Sequence, residues 1–365
     1  MSEFINRPLS RRGFLGGATV AAGLGLTACG GQQQQKAEAP SGKEGGGTIT
    51  AGTAYSTQNY DPSTTSSALA LGVNWQVVEG LYGLNFHDYS TFNELATADP
   101  KKVDDYTFEI TLRDGAKFSD GNEVKADDVV ESFNRSAAKG SVYVPMLSPI
   151  ASVEKKDDKT VTVKTTIANF SLLKERLSIV RVVPASSSQD EMKKQPVGSG
   201  PWMYESISDN TLDLVPNKNY NGATPAKDDK LHYDVLKDPT ARLTAQQDGT
   251  TLAMEMVPAD AVDQLKGAGC TVDAVQGFGV RFAMFNLGKA PWDNVKVRQA
   301  CLYALDTDKM LANAFSGQAE VATSYLPSSF ANYHKASTVY AHDVDKAKKL
   351  IAESGITPGD VVLRT

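Results

Sequence analysis

The chain has 365 residues, of which 41% are hydrophobic and 22% charged, with a formal net charge of −6. That length and apolar content suffice for two or more packed domains. The acidic balance argues against a nucleic-acid partner and against broad contact with an anionic lipid surface.

Arg11 and Arg12 give the N-terminus the positive start of an export signal. The apolar run 13–28 is too short and too broken by glycine to span a membrane. The arginine pair looks like a twin-arginine (Tat) signal, the route for chains exported already folded. Leu26, Thr27, Ala28 and Cys29 resemble a bacterial lipobox, in which the cysteine takes a diacylglycerol. Two acyl chains matter, because a single one holds a protein only marginally. Residues 1–28 are therefore expected to be a removable signal, and 29–47, rich in glycine and glutamine, a disordered tether. Loss of three arginines and one glutamate with the signal moves the charge from −6 to −8.

The folded part is expected to begin at 48–53, a short strand. Asp61 and Pro62 break it, and 68–81 reads as a helix ending near Gly83. In 106–112, Tyr106, Phe108, Ile110 and Leu112 alternate with polar residues, which predicts a strand with one buried face. Asp114 and Gly115 close it with a turn. Ala126, Val129, Val130 and Phe133 recur at helical spacing, with Asp127 and Asp128 in the first turn where the helix dipole favours them. Residues 159–164 predict a strand, 180–183 a returning strand, and the alternations 231–235 and 280–284 two more. Val297, Ala300, Cys301, Ala304 and Leu305 form a helical stripe. Asp306 or Thr307 caps a following helix ending at Gly317, and Asp343 caps a third over 344–354 that ends at Gly355. The run 361–365 looks like a strand cut short, so the sequence reads as a fragment. Cys270 and Cys301 form either a disulfide or two separate buried thiols.

Catalytic signatures are missing. There is no H-E-x-x-H, no G-x-S-x-G and no Walker A loop, and the glycines at 277 and 279 do not open a dinucleotide fingerprint. His87, His232, His334 and His342 are scattered, which predicts no metal site. Gly198 and Gly200 flank Ser199 and are expected to permit a sharp corner.

Taken in order, several stretches resemble bacterial extracellular solute-binding proteins of family 5, the oligopeptide/dipeptide-binding type that serves ABC importers. They are 78–82, the block 106–121 with 126–133, 196–202, 217–220, 285–286, 291–306 and 345–350. Lys125 departs from the threonine cap of many relatives, and 247–253 lacks their acidic ending.

The resemblance implies an α/β, two-lobe periplasmic-binding-protein-like fold (type II, cluster C) with an extra inserted domain. Lobe I would comprise 48–78 and 185–285, the insertion 79–184, and an incomplete lobe II 286–365. It implies a lipid-anchored extracytoplasmic binder, monomeric and without catalysis, metal or cofactor. Its partners would be a solute, most simply a short peptide, and ABC permease subunits. Relatives also take nickel complexes, sugars or glutathione, and an exported hydrolase on the same scaffold is the rival class. The ligand would sit in the interlobe cleft, with Tyr55, Ser66, Ser67, Phe278 and Gly279 as candidate contacts. A helix cap competes for the serines and core packing for Phe278.

Overall fold

The computed structural model describes residues 45–356 except 87, 276, 278, 316, 317 and 331. The predicted export signal, Cys29 and the terminal run 361–365 lie outside them.

The chain opens with β1 (Thr48–Thr53) and α1 (Ala68–Val77), then a small hairpin of β2 (Tyr82–Leu84) and β3 (Thr91–Asn93). Next come β4 (Lys101–Lys102), β5 (Thr107–Thr111), α2 (Ala126–Ala137), α3 (Val144–Leu147), β6 (Ile150–Lys155) and β7 (Thr160–Thr165). These four strands form an antiparallel sheet ordered β4-β5-β7-β6. Phe108, Ile110, Val161 and Val163 point to one face of it, where Val129 and Phe133 of α2 complete the core. The predicted alternation holds from Phe108 to Leu112, but Tyr106 precedes the strand and is 51% exposed. Asp128 accepts the Lys125 amide at 2.8 Å and so closes the start of α2 without a threonine cap.

After α4 (Leu173–Leu177) and α5 (Gln189–Lys194) come β8 (Trp202–Ile207), β9 (Thr211–Pro216), β10 (Lys230–Val235), α6 (Pro239–Gln247) and β11 (Ala253–Met254). They join β1 in a second sheet ordered β11-β1-β10-β9-β8. In it β1 runs parallel to both neighbours. Leu69, Ala70, Val73 and Val77 of α1 pack with Trp202, Tyr204, Leu212, Leu214 and Leu231 as a second core. Finally come α7 (Val262–Gly267), α8 (Val295–Ala304), α9 (Thr307–Phe315) and α10 (Val344–Ser354). Asp306 and Asp343 accept amides of Lys309 and Lys346, and Gly355 takes the left-handed C-terminal position at φ 71°.

Four expectations need correction. α1 stops at Val77 rather than 81, because Glu79 and Gly80 are needed elsewhere: Glu79 O accepts the Val182 amide and Gly80 pairs with Arg181. The 180–183 segment is correspondingly extended and buried, but holds only that one bridge, not a strand. Residues 280–284 form no strand, and Phe282 and Met284 are 69% and 83% exposed. Alternation alone makes no strand without a neighbour to complete its backbone hydrogen bonds, and no described residue supplies one. On α8 only Val297 and Ala300 are buried. Ala304 and Leu305 are exposed there, so the stripe is shorter than expected, and Cys270 and Cys301 are unbonded and half-buried.

His232 on β10 stands between Asp213 Oδ1 (2.7 Å from Nδ1) and Asp234 Oδ1 (3.2 Å from Nε2). Partial burial opposes its charge, but the bonds to Asp213 and Asp234 outweigh that and raise its pKa above the ordinary value. The stabilisation is thus complete below the unfolded value of about pH 6.5 and is lost as pH rises through the folded value. His232→Gln is expected to remove it. Urea midpoints of the two proteins should differ most near pH 6 and converge by about pH 9; a pH-independent difference would contradict the assignment.

Candidate functional site

α1 is apolar on nearly every side, which requires burial on more than one. One face meets the second sheet. Leu71 and Trp75, four residues apart, share another. Buried Asn74 fixes the helix against its neighbours: its amide donates to Tyr60 O at 2.8 Å and its carbonyl accepts from Tyr204 Oη at 2.9 Å. The turn after Tyr60 is held by the buried Asp61 carboxylate, which accepts from the Ser63 amide, Ser63 Oγ and Thr64 Oγ1. Ser141 Oγ then donates to Ser63 O at 3.0 Å and brings Tyr143 and α3 alongside.

These segments and the extended stretch at 179–181 enclose a pocket of about 410 Å³. Its walls include Pro62, Leu71, Trp75, Phe86, Tyr143, Met146, Ile179 and Arg181. The Trp75 and Phe86 rings meet edge to face at 5.1 Å, and the Arg181 guanidinium lies 3.2 Å from the Trp75 ring centroid. Burial pushes the Tyr143 hydroxyl up, while Arg181 pulls it the other way.

Arg181 is 5% exposed and is matched internally. Nη1 donates to Glu94 Oε2 at 2.8 Å and to Val78 O, and Nη2 donates to Ser178 O at 2.7 Å. Glu94 Oε2 also accepts the Gly80 amide at 2.7 Å. Burial outweighs these attractions and raises the Glu94 pKa. Beside this pair, Arg113 holds Glu79 through two bonds of 2.8 and 2.9 Å. Arg181, in the pocket wall, is thus held by a buried ion pair, with a part-buried pair beside it.

A second crevice, of about 300 Å³, opens at the carboxyl ends of β1, β10 and β11. There Glu255 accepts from the Thr53 hydroxyl and the Ala54 amide, and Gln76 donates to Tyr233 Oη at 2.9 Å. Gly72 borders both cavities, so α1 is the partition between them. Aromatic walls with a few fixed polar groups favour the first pocket as the candidate ligand site.

The profile of the bacterial extracellular solute-binding proteins, family 5 Middle, matches residues 92–365. The chain belongs to this family. The chain is 32% identical over 311 residues to heme-binding protein A of Haemophilus influenzae, covering 76% of its own length and 56% of that relative's. It is 28% identical over 311 residues to glutathione-binding protein GsiB of Pectobacterium atrosepticum, covering 82% and 60%. The chain therefore spans little more than half the length of these relatives. Its fold matches the Helicobacter pylori periplasmic binding protein DppA in complex with peptide STSA. The TM-score is 0.75 at 20% identity, over 86% of this chain and 67% of that one. The architecture is the two-lobe periplasmic-binding-protein fold, and the family is one of solute binders rather than enzymes.

Tyr55 is half-buried and packs against the second core, Ser66 is exposed, and Ser67 sits at the N-cap of α1. None of the three lines either cavity, and the Ser67 side chain makes no capping bond. Gly279 borders a separate groove with 318–328. Phe278 lies outside the described residues, as do Arg11, Arg12 and Cys29. Among the described residues no cluster of His, Cys, Asp or Glu is placed to hold a metal, and no helix is long and apolar enough to cross a membrane. Sequence reasoning missed Trp75, Tyr143 and Arg181. Two signals pointed to them: α1 has no polar face, and Arg181 is a lone charge inside the apolar run 179–183.

Proposed function

We propose that the protein captures a solute, most simply a short peptide, outside the cytoplasm and delivers it to the permease of an ABC importer. The observation that carries this is the aromatic-walled pocket beside Trp75, in a chain of a solute-binding family. Two relatives named for heme and glutathione, and a structural neighbour holding a peptide, are consistent with an organic ligand of that size. In this reading 48–78 and 185–285 form lobe I, 79–184 the insertion and 286–365 the start of lobe II. The two separate cores support the first boundary. Among the described residues the pocket is lined by lobe I and the insertion and not by lobe II, which departs from the interlobe cleft that the resemblance implies. Residues 1–28 direct Tat export, Cys29 carries the lipid, and the protein acts as a monomer.

Thermal-shift screening of the intact mature protein tests this against short peptides, glutathione, heme, oligosaccharides and nickel. Peptides at about 100 times their Kd should add roughly 2.7 kcal/mol of stability, a shift of several degrees. Stabilisation by a sugar or nickel alone would overturn the peptide assignment.

A further inference from the structure

We infer that the pocket beside Trp75 selects ligands bearing a bulky apolar side chain, aromatic or branched, over charged or small polar ones. This rests on the reading above and narrows its ligand class. Trp75, Phe86, Tyr143, Met146, Leu71 and Ile179 supply apolar wall. At 54% and 39% exposed, Phe86 and Met146 leave apolar surface in water that a ligand side chain of the same character would cover.

Among the described residues Arg181 is the one charged residue in the wall, and it does not offer its charge to a ligand. Glu94 neutralises it, the carbonyls of Val78 and Ser178 take further donors, and the indole of Trp75 covers the guanidinium at 3.2 Å. Its Nε has no acceptor, but that atom is buried. A ligand carboxylate would have to displace Trp75 and compete with Glu94 to reach it. Tyr143 is 8% exposed and burial holds its hydroxyl in the neutral form. An acidic or basic side chain entering here would lose its hydration and meet no free partner of opposite sign.

Isothermal titration of the intact mature protein with Ala-X-Ala peptides, X being Phe, Leu, Ser, Glu or Lys, tests the inference. The Phe and Leu peptides should bind at least about tenfold tighter than the Ser peptide, and the Glu and Lys peptides weakest. Phe86→Ser and Met146→Gln, both at partly exposed positions, should each shrink the Phe-to-Ser affinity ratio to about threefold or less. An unchanged ratio in both variants would overturn the assignment of the pocket. Equal binding of all five peptides, or tightest binding of the Glu peptide, would overturn the inference and leave the proposed peptide capture standing. Binding of no peptide would overturn both.

Discussion

Replacing Arg181 with methionine is expected to cost about 3–5 kcal/mol, because it strands a buried carboxylate. Glu94 would keep the Gly80 amide as a donor but lose the ion pair with Arg181, while the carbonyls of Val78 and Ser178 would lose a hydrogen-bond donor. The stacking on Trp75 would go as well. Urea unfolding at pH 7 measures the loss. Arg181→Met with Glu94→Gln should recover at least half of it, since the variant then buries no unpaired charge. The sign of the pH dependence follows from Glu94. Its folded pKa is already raised by burial, and removing Arg181 raises it further. A group of this kind stabilises when protonated, so the deficit of Arg181→Met should narrow as pH falls from 7 to about 5. A loss below about 1 kcal/mol, or a deficit that widens on acidification, would contradict the buried pair.

Gly198→Ala is expected to destabilise the fold by about 3 kcal/mol, the upper end for overpacking, through backbone crowding alone. A Cβ at Gly198 would stand 2.1 Å from Val77 O, and one at Gly200 would stand 2.5 Å from Gln76 O. Neither glycine has a left-handed φ, so the expected sharp corner is not why they are there; close approach to the end of α1 is. The loop cannot retreat without cost. Gly200 N–H donates to Val77 O at 2.8 Å, Gly198 O accepts the Ser119 amide at 2.9 Å, and Gly200 O accepts Asn217 Nδ2 at 2.9 Å. Ser199 between them is the control. Its hydroxyl is buried without a partner, so Ser199→Ala should be neutral or slightly stabilising. Thermal melts of the two variants separate these effects. A Gly198→Ala protein as stable as the parent would show that the loop does not abut α1.

Local patterns were legible where local chemistry decides the outcome. The alternation of Phe108, Ile110 and Leu112, the stripe of α2, and the Asp343 and Gly355 caps of α10 each need only near neighbours in sequence. The end of α1 was not legible, because it is set by Gly198, Gly200 and Arg181, more than 100 residues away. The alternation at 280–284 shows the opposite failure: a strand-like pattern without a neighbouring strand leaves Phe282 and Met284 in solvent. The pocket draws on five separate stretches, around Pro62, Trp75, Phe86, Tyr143 and Arg181. No periodicity reveals which of their side chains converge. The choice of Ser66 and Ser67 came within one helical turn of the pocket wall, yet rested on polarity, whereas the wall is built from aromatic rings over a neutralised arginine.

The most direct measurement is a crystal structure of the intact protein with the tightest-binding peptide of the Ala-X-Ala series. The ligand is predicted in the pocket bounded by Trp75, Tyr143 and Met146, with its X side chain against Phe86. A peptide seated on an outer face, with Trp75 and Phe86 as open as in the free protein, would contradict the capture of solute at this site.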